Sequence, residues 1–197
     1  MTNDAARLGE VVEADTAGFT AQCDRLGEPP ALGTLVTARD GDVELYAVVC
    51  HAATAGIDPS RTVVALGADE ENEEGVYRSH PELAQLLRTD FRALVVGHRH
   101  GGRLLQHLPP RPARIHGFVY QAEPEQVREF TETLDFLAYL VRGAPPANDD
   151  ATAACLRLAG QAHPDQRAFL VRAGKALAGL LAQDSQRLHV LLQMVGP

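Results

Sequence analysis

The first hundred residues alternate apolar and polar positions in short runs, the period-2 pattern of strands that bury one face. Runs at residues 7–13 and 17–23, broken at Ala14-Asp15-Thr16, predict a first pair of strands. Residues 33–39 and 43–50 flank Asp40-Gly41-Asp42. A glycine in a short polar connection between β-rich runs marks a hairpin, because it reaches positive φ without steric cost. The end of the second run, Val48-Val49-Cys50, is apolar on both faces and is expected to be buried. Residues 62–67 read as a further strand after a turn at Ile57-Asp58-Pro59-Ser60, and residues 91–97 as another. Gly101-Gly102 turns the chain back through residues 103–107. Between these strands, residues 68–75 read as an acidic surface loop. Ser79-His80-Pro81-Glu82 then has capping-box spacing for a helix through Leu83, Leu86 and Leu87.

Pro109, Pro110 and Pro112 enforce an extended connector, and beyond it the period becomes helical. Residues 115–120 are a last extended piece. Val127, Phe130, Leu134, Leu137 and Val141 then recur at helical spacing after Glu123-Pro124 and predict one helix, stopped by Gly143-Ala144-Pro145-Pro146. A second helix, capped by Asp149 or Asp150, carries Ala153, Ala154, Leu156 and Leu158 and stops before Pro164. A third, over residues 166–181, places Phe169, Leu170, Ala173, Leu177 and Leu180 on one side, and a short fourth uses Leu188, Leu191 and Leu192. Such faces need partners within the chain or on another subunit. The expected fold class is α+β: a small antiparallel β-barrel over residues 1–110, with a short helical insertion near 80–88, then a C-terminal α-helical region over 111–197 that packs on it or on a partner.

Composition adds bounds to this picture. A chain of 197 residues with 45% hydrophobic content is long enough for a real core. No run approaches the roughly 18–20 apolar residues that cross a bilayer. The first residues, Met1 to Arg7, lack the basic and apolar regions of a secretory signal. Cys23, Cys50 and Cys155 are far apart and none lies in a Cys-x-x-Cys pair, so reduced thiols and a cytoplasmic location are expected, without membrane association. The net charge of −8 opposes non-specific nucleic-acid binding by the whole surface. Its distribution matters more. Residues 88–120 hold six arginines against Asp90 alone, whereas every flanking stretch before residue 150 is acidic. Arg99, Arg103, Arg111 and Arg114 are therefore candidates for binding an anion or an acidic partner. The plainer reading pairs this block internally with its acidic flanks.

The strand series at Leu8-Gly9-Glu10-Val11-Val12, Gly33-Thr34-Leu35-Val36, Tyr46-Ala47-Val48-Val49, Ile57-Asp58-Pro59 and Val64-Ala65-Leu66-Gly67 resembles the HAS-barrel. This is the small N-terminal β-barrel of HerA-type DNA-translocating ATPases and ATP synthase subunits. The resemblance covers roughly residues 7–67, with residues 91–107 as candidates to close the barrel. It implies an assembly role, because in those ATPases the barrel organises subunits or docks a partner while catalysis lies in a separate motor domain. The motor's phosphate-binding loop is missing here: the one Gly-Lys pair, Gly174-Lys175, is followed by Ala176 and has Phe169 where the first glycine belongs.

Other chemistry is thinly represented. His98 and His100 share a strand face and, with His107 and His116, form the best candidate metal cluster, yet no carboxylate occurs between Asp90 and Glu123. The plainer reading is a solvated hairpin end. Cys50 and His51 are adjacent on a strand and point to opposite faces, which spoils a thiolate–imidazole pair. Glu70, Glu71, Glu73 and Glu74 read as a solvated run, and no Gly-x-Ser-x-Gly elbow occurs. Aromatic residues for base stacking near the basic block are limited to Phe118 and Tyr120, which disfavours nucleic-acid binding by this chain alone. The sequence therefore predicts a non-enzymatic assembly or adaptor protein without a cofactor. Its expected partner is another protein or a second copy, such as a HerA-type ATPase or DNA-processing and repair machinery. The alternatives are a metal-dependent hydrolase or nuclease built on the four histidines, and an anion- or nucleotide-binding regulator built on the 88–120 block.

Overall fold

The computed structural model describes residues 6–58, 60–142 and 147–196. The start of the chain, Pro59 of the expected turn and the expected helix stop at 143–146 lie outside the described residues. Among the described residues seven strands are formed: β1 (Arg7–Ala14), β2 (Gly18–Cys23), β3 (Leu35–Asp40), β4 (Val43–Gly56), β5 (Leu87–His100), β6 (Arg103–Leu105) and β7 (Phe118–Gln121). They pair antiparallel in the order β2-β1-β7-β3-β4-β5-β6, and an additional β2–β5 ladder closes six of them into a barrel. The α+β fold is thus a closed antiparallel six-stranded β-barrel followed by a helical region. β6 stays outside the closure, as the return arm of a hairpin turned by Gly101 and Gly102 at φ 56° and 77°.

The alternation of the strands sorts the core into two. Val11, Phe19, Ala21, Val36, Leu45, Phe91 and Val95 point into the barrel and fill it. The opposite face of β3, β4 and β5 presents Leu35, Tyr46, Val48 and Val96 to the helices. A register shift between Tyr46 and Ala47, opposite Gly97 and Val95, adjusts the alternation there. The apolar Val48-Val49 run is buried because each face meets a different core. The proline connector crosses one end of the barrel, where Leu108 and Ala113 pack against its interior. The chain then enters β7, which fills the gap between β1 and β3 through pairs such as Gly9↔Val119 and Ala38↔Val119. The barrel's strands therefore extend past residue 110, to Gln121.

Two helices, α1 (Glu73–Ser79) and α2 (Leu83–Leu86), lie in the insertion between β4 and β5. Five follow the barrel: α3 (Pro124–Phe130), α4 (Leu137–Val141), α5 (Ala147–Ala162), α6 (Gln166–Leu180) and α7 (Ser185–Val195). Among the described residues no helix is long and apolar enough to cross a membrane.

Three local expectations are corrected. Residues 62–67 form no strand: they run irregularly and exposed, with no neighbouring strand to pair them. The helix expected after Ser79 forms as α2, but Ser79 does not cap it: its N-cap position is Glu82, without a side-chain cap, and a separate helix, α1, precedes it. Asn72 caps α1 by accepting from the Gly75 backbone at 2.9 Å, with Glu73 and Glu74 favourably placed in the first turn, and Ser79 is its last residue. The single helix expected to run through Val141 breaks after Phe130. Gln106 accounts for the break: its amide donates to the carbonyls of Phe130 and Thr133, and its oxygen accepts from the Phe136 backbone at 2.9 Å. The bend carries Phe136 into the core beside Phe130, ring centroids 5.2 Å apart.

Candidate functional site: a paired basic rim and an apolar arm

The candidate arginines and histidines gather around the barrel end that carries the β3–β4 and β5–β6 turns. Arg99 leaves β5 on the helix-facing side, donating to Glu129 at 2.6 Å and to the Tyr46 hydroxyl at 3.3 Å, with Glu44 at 3.7 Å. The hydrogen bond to Glu129 contributes most to raising its pKa. Tyr46 in turn donates to Glu44 at 3.0 Å and stacks on Phe130 at 4.8 Å, and burial pushes its phenol up to about 12. Arg111 pairs with Asp40 at 3.0 Å across the barrel mouth. Arg103 and Arg114 are exposed. Arg114 lines a groove of ≈ 470 Å³ with Arg39, Phe118 and Tyr120, so the two aromatic residues do lie beside arginines, but Arg39 also reaches Glu44 at 3.3 Å.

The four histidines form no single cluster: His98 and His107 meet, and His100 and His116 lie apart from them. His98 is buried, its Nδ1 3.1 Å from the His107 carbonyl oxygen, and the two rings meet edge to face at 5.0 Å. His100 instead contacts Asp42 at 3.1 Å, and His116, at φ 65°, contacts Glu10 at 2.6 Å. Among the described residues no group of three or more His, Cys, Asp or Glu side chains is placed to hold a metal ion. The thiols are not activated either. Burial raises the pKa of Cys23 to about 11 and of Cys155 to about 12, and it raises that of Cys50. All three therefore stay protonated near neutral pH. A cavity of ≈ 520 Å³ lies where β3 and β7 meet α3 and α5, lined by groups such as Thr34, Leu35, Val127 and Cys155.

The most distinctive exposed surface lies elsewhere, at the far end of the β4–β5 ladder. That ladder runs from Glu44↔Arg99 to Gly56↔Leu87, well beyond the reach of β3, whose pairing with β4 stops at Leu35↔Val48. Residues 51–55 of β4 are exposed, and although Asp90, Phe91 and Arg92 on β5 still pair with β2, the last pairs, from Thr54↔Thr89 to Gly56↔Leu87, run past the barrel wall. The ladder's tip, residues 57–58 and 60–86, folds on itself: Gly56 packs under Val63, and Ile57, Val63, Val64, Leu66, Leu83 and Leu86 line a shallow apolar pocket of ≈ 280 Å³. Val63 and Val64 remain 58% and 65% exposed, the highest values among large hydrophobic residues here. The charged groups in the pocket's wall are Asp58 and Arg61, but the insertion that carries it is acidic: residues 57–86 hold seven carboxylates, five of them between Asp69 and Glu74, against Arg61 and Arg78. The sequence pattern had marked Val63, Val64 and Leu66 as a strand. The signal available was their apolar character without a second run to pair them. No protein-family model and no curated protein matches the chain.

Proposed function

We propose that this protein is a non-catalytic assembly or adaptor protein that acts through protein–protein association. The observation that carries this reading is the arm tip. A contiguous apolar pocket in an acidic insertion, carried where the β4–β5 ladder runs past the barrel, is the form of a docking surface. Leaving Val63 and Val64 in water forgoes about 1.5 kcal/mol or more per side chain, a loss that a partner would recover. The internal pairing of Arg99 and Arg111 fits a rim that is satisfied by its own chain. The resemblance to the HAS-barrel extends the proposal to a class of partner, a HerA-type ATPase or other DNA-processing machinery.

The test is affinity capture with the Val63→Asp/Val64→Asp double variant beside the wild type. A protein recovered stoichiometrically with the wild type and lost with the variant supports the reading. Equal recovery by both, with no change in self-association, would remove it.

A further inference from the structure

The chain carries a second exposed apolar surface whose charge is opposite to that of the arm. Along α6, Arg167, Val171 and Lys175 succeed one another at i, i+4 spacing and form one exposed stripe. Beside it runs a groove of ≈ 750 Å³ between α5, α6 and α7, lined by Leu170, Val171, Leu192 and Val195 with Arg157 and Arg167 at its edge and no carboxylate in its wall. Val171 is 52% exposed and Leu192 38%. Residues 151–197 as a whole hold five basic groups against Asp165 and Asp184. Both the tip valines and the stripe are open to solvent, so neither is covered within one molecule.

We infer that the acidic apolar arm tip of one copy docks into the basic apolar groove of α5–α7 on a second copy. This rests on the association reading above and names its partner as the chain itself. Charge complementarity selects the occupant: the insertion that forms the tip carries Asp69, Glu70, Glu71, Glu73 and Glu74 and meets a groove flanked by Arg157, Arg167 and Lys175, while like would repel like in insertion-to-insertion or groove-to-groove contacts. Because the two surfaces differ, the contact is heterologous. Each copy offers one of each, and growth continues into a ring or a filament rather than stopping at a two-fold dimer.

Sedimentation velocity on the full chain tests this with two variants at exposed positions. One is the arm variant Val63→Asp/Val64→Asp, and the other is the groove variant Arg167→Glu/Val171→Asp. The wild type is expected to assemble beyond the dimer as its concentration rises, and to dissociate as salt screens the contact. Each variant alone is expected to lose roughly 30-fold or more in association, the loss typical of a central interface residue. Mixed together, the arm variant still offers its groove and the groove variant its tip, so the mixture is expected to form a one-to-one dimer that grows no further. A wild type that stays monomeric to about 100 µM, or one that stops at a dimer both variants leave intact, overturns the inference. So does a mixture that forms no dimer when the wild type assembles. A monomeric wild type that still captures a different protein through Val63 and Val64 ends self-association while leaving the association reading in place.

Discussion

Gly33 sits where the barrel meets its helices, and replacing it with alanine isolates that junction. Its φ of +83° places it in the left-handed region, which costs a residue with a Cβ about 1–2 kcal/mol. A Cβ there would also lie 2.3 Å from the Cys155 amide nitrogen and 2.6 Å from Ala154, both on α5. Those atoms are helix backbone and a buried methyl, so relief requires α5 to move off the sheet, an overpacking cost of about 1–3 kcal/mol. Together the Gly33→Ala loss is roughly 2–5 kcal/mol, a large share of the ~5–15 kcal/mol that holds a domain folded. Gly41→Ala is the control: its φ is +62°, but nothing lies within 4 Å of its Cβ position, so only the backbone cost applies. In urea unfolding, a slope of about 2 kcal/mol per M converts these losses into midpoint shifts of roughly 1–2.5 M for Gly33→Ala and under about 1 M for Gly41→Ala. Equal shifts for the two variants would refute the close docking of α5 on the start of β3, whatever their size.

Three further outcomes are expected. Arg187 holds Asp149 with Nε at 3.0 and 3.1 Å and a second nitrogen at 2.7 Å, tying α7 to the start of α5; Arg187→Ala strands a mostly buried carboxylate and should cost about 3–5 kcal/mol in the same unfolding assay, and a loss under about 1 kcal/mol would show the pair to be solvent-screened. Tyr46 should titrate late by ultraviolet absorbance. Its folded pKa is raised from 10.0 to about 12, so its contribution to stability is full below pH 10 and lost as the pH climbs toward 12; four tyrosines titrating together at pH 10 would contradict its burial beside Phe130. With a thiol reagent near pH 8, half-buried Cys50 should react first and Cys155 only on global unfolding, because both its burial and its raised pKa withhold the thiolate, whereas three equal rates in the native protein would be inconsistent with α5 lying in the core.

How much of this was legible in the chain follows the reach of each signal. Alternation placed β1 to β3 within a few residues and found the cores of β4 and β5, since the requirement that every second side chain leave water acts locally, but it ended β4 at Cys50, short of its true end at Gly56. The Gly41 and Gly101-Gly102 turns were equally readable, because positive φ is a property of one or two residues. Helical spacing found α5, α6 and α7 for the same reason, yet joined α3 to α4, since the Gln106 side chain that ends α3 comes from the far side of the proline connector.

The amino-acid sequence by itself determined an α+β chain with a two-faced central hairpin and amphipathic helices, the consequences of patterns a few residues long. A small barrel was expected from the sequence, but the tertiary structure alone decided which strands meet to close it. Closure depends on Phe19 meeting Ala93 and on the four residues of β7 entering between β1 and β3, partners roughly seventy or more residues apart in the chain. It also decided the fate of the charges. Arg99 and Glu129 are distant in sequence and 2.6 Å apart in space, and with Arg88–Asp90 and Arg111–Asp40 such pairs tie up Arg88, Arg99 and Arg111 of the basic block, while the absence of a partner strand left Val63 and Val64 at the tip of the arm, open to water. Local pattern sets which face of each element is apolar, and only the assembled fold determines which of those faces are covered.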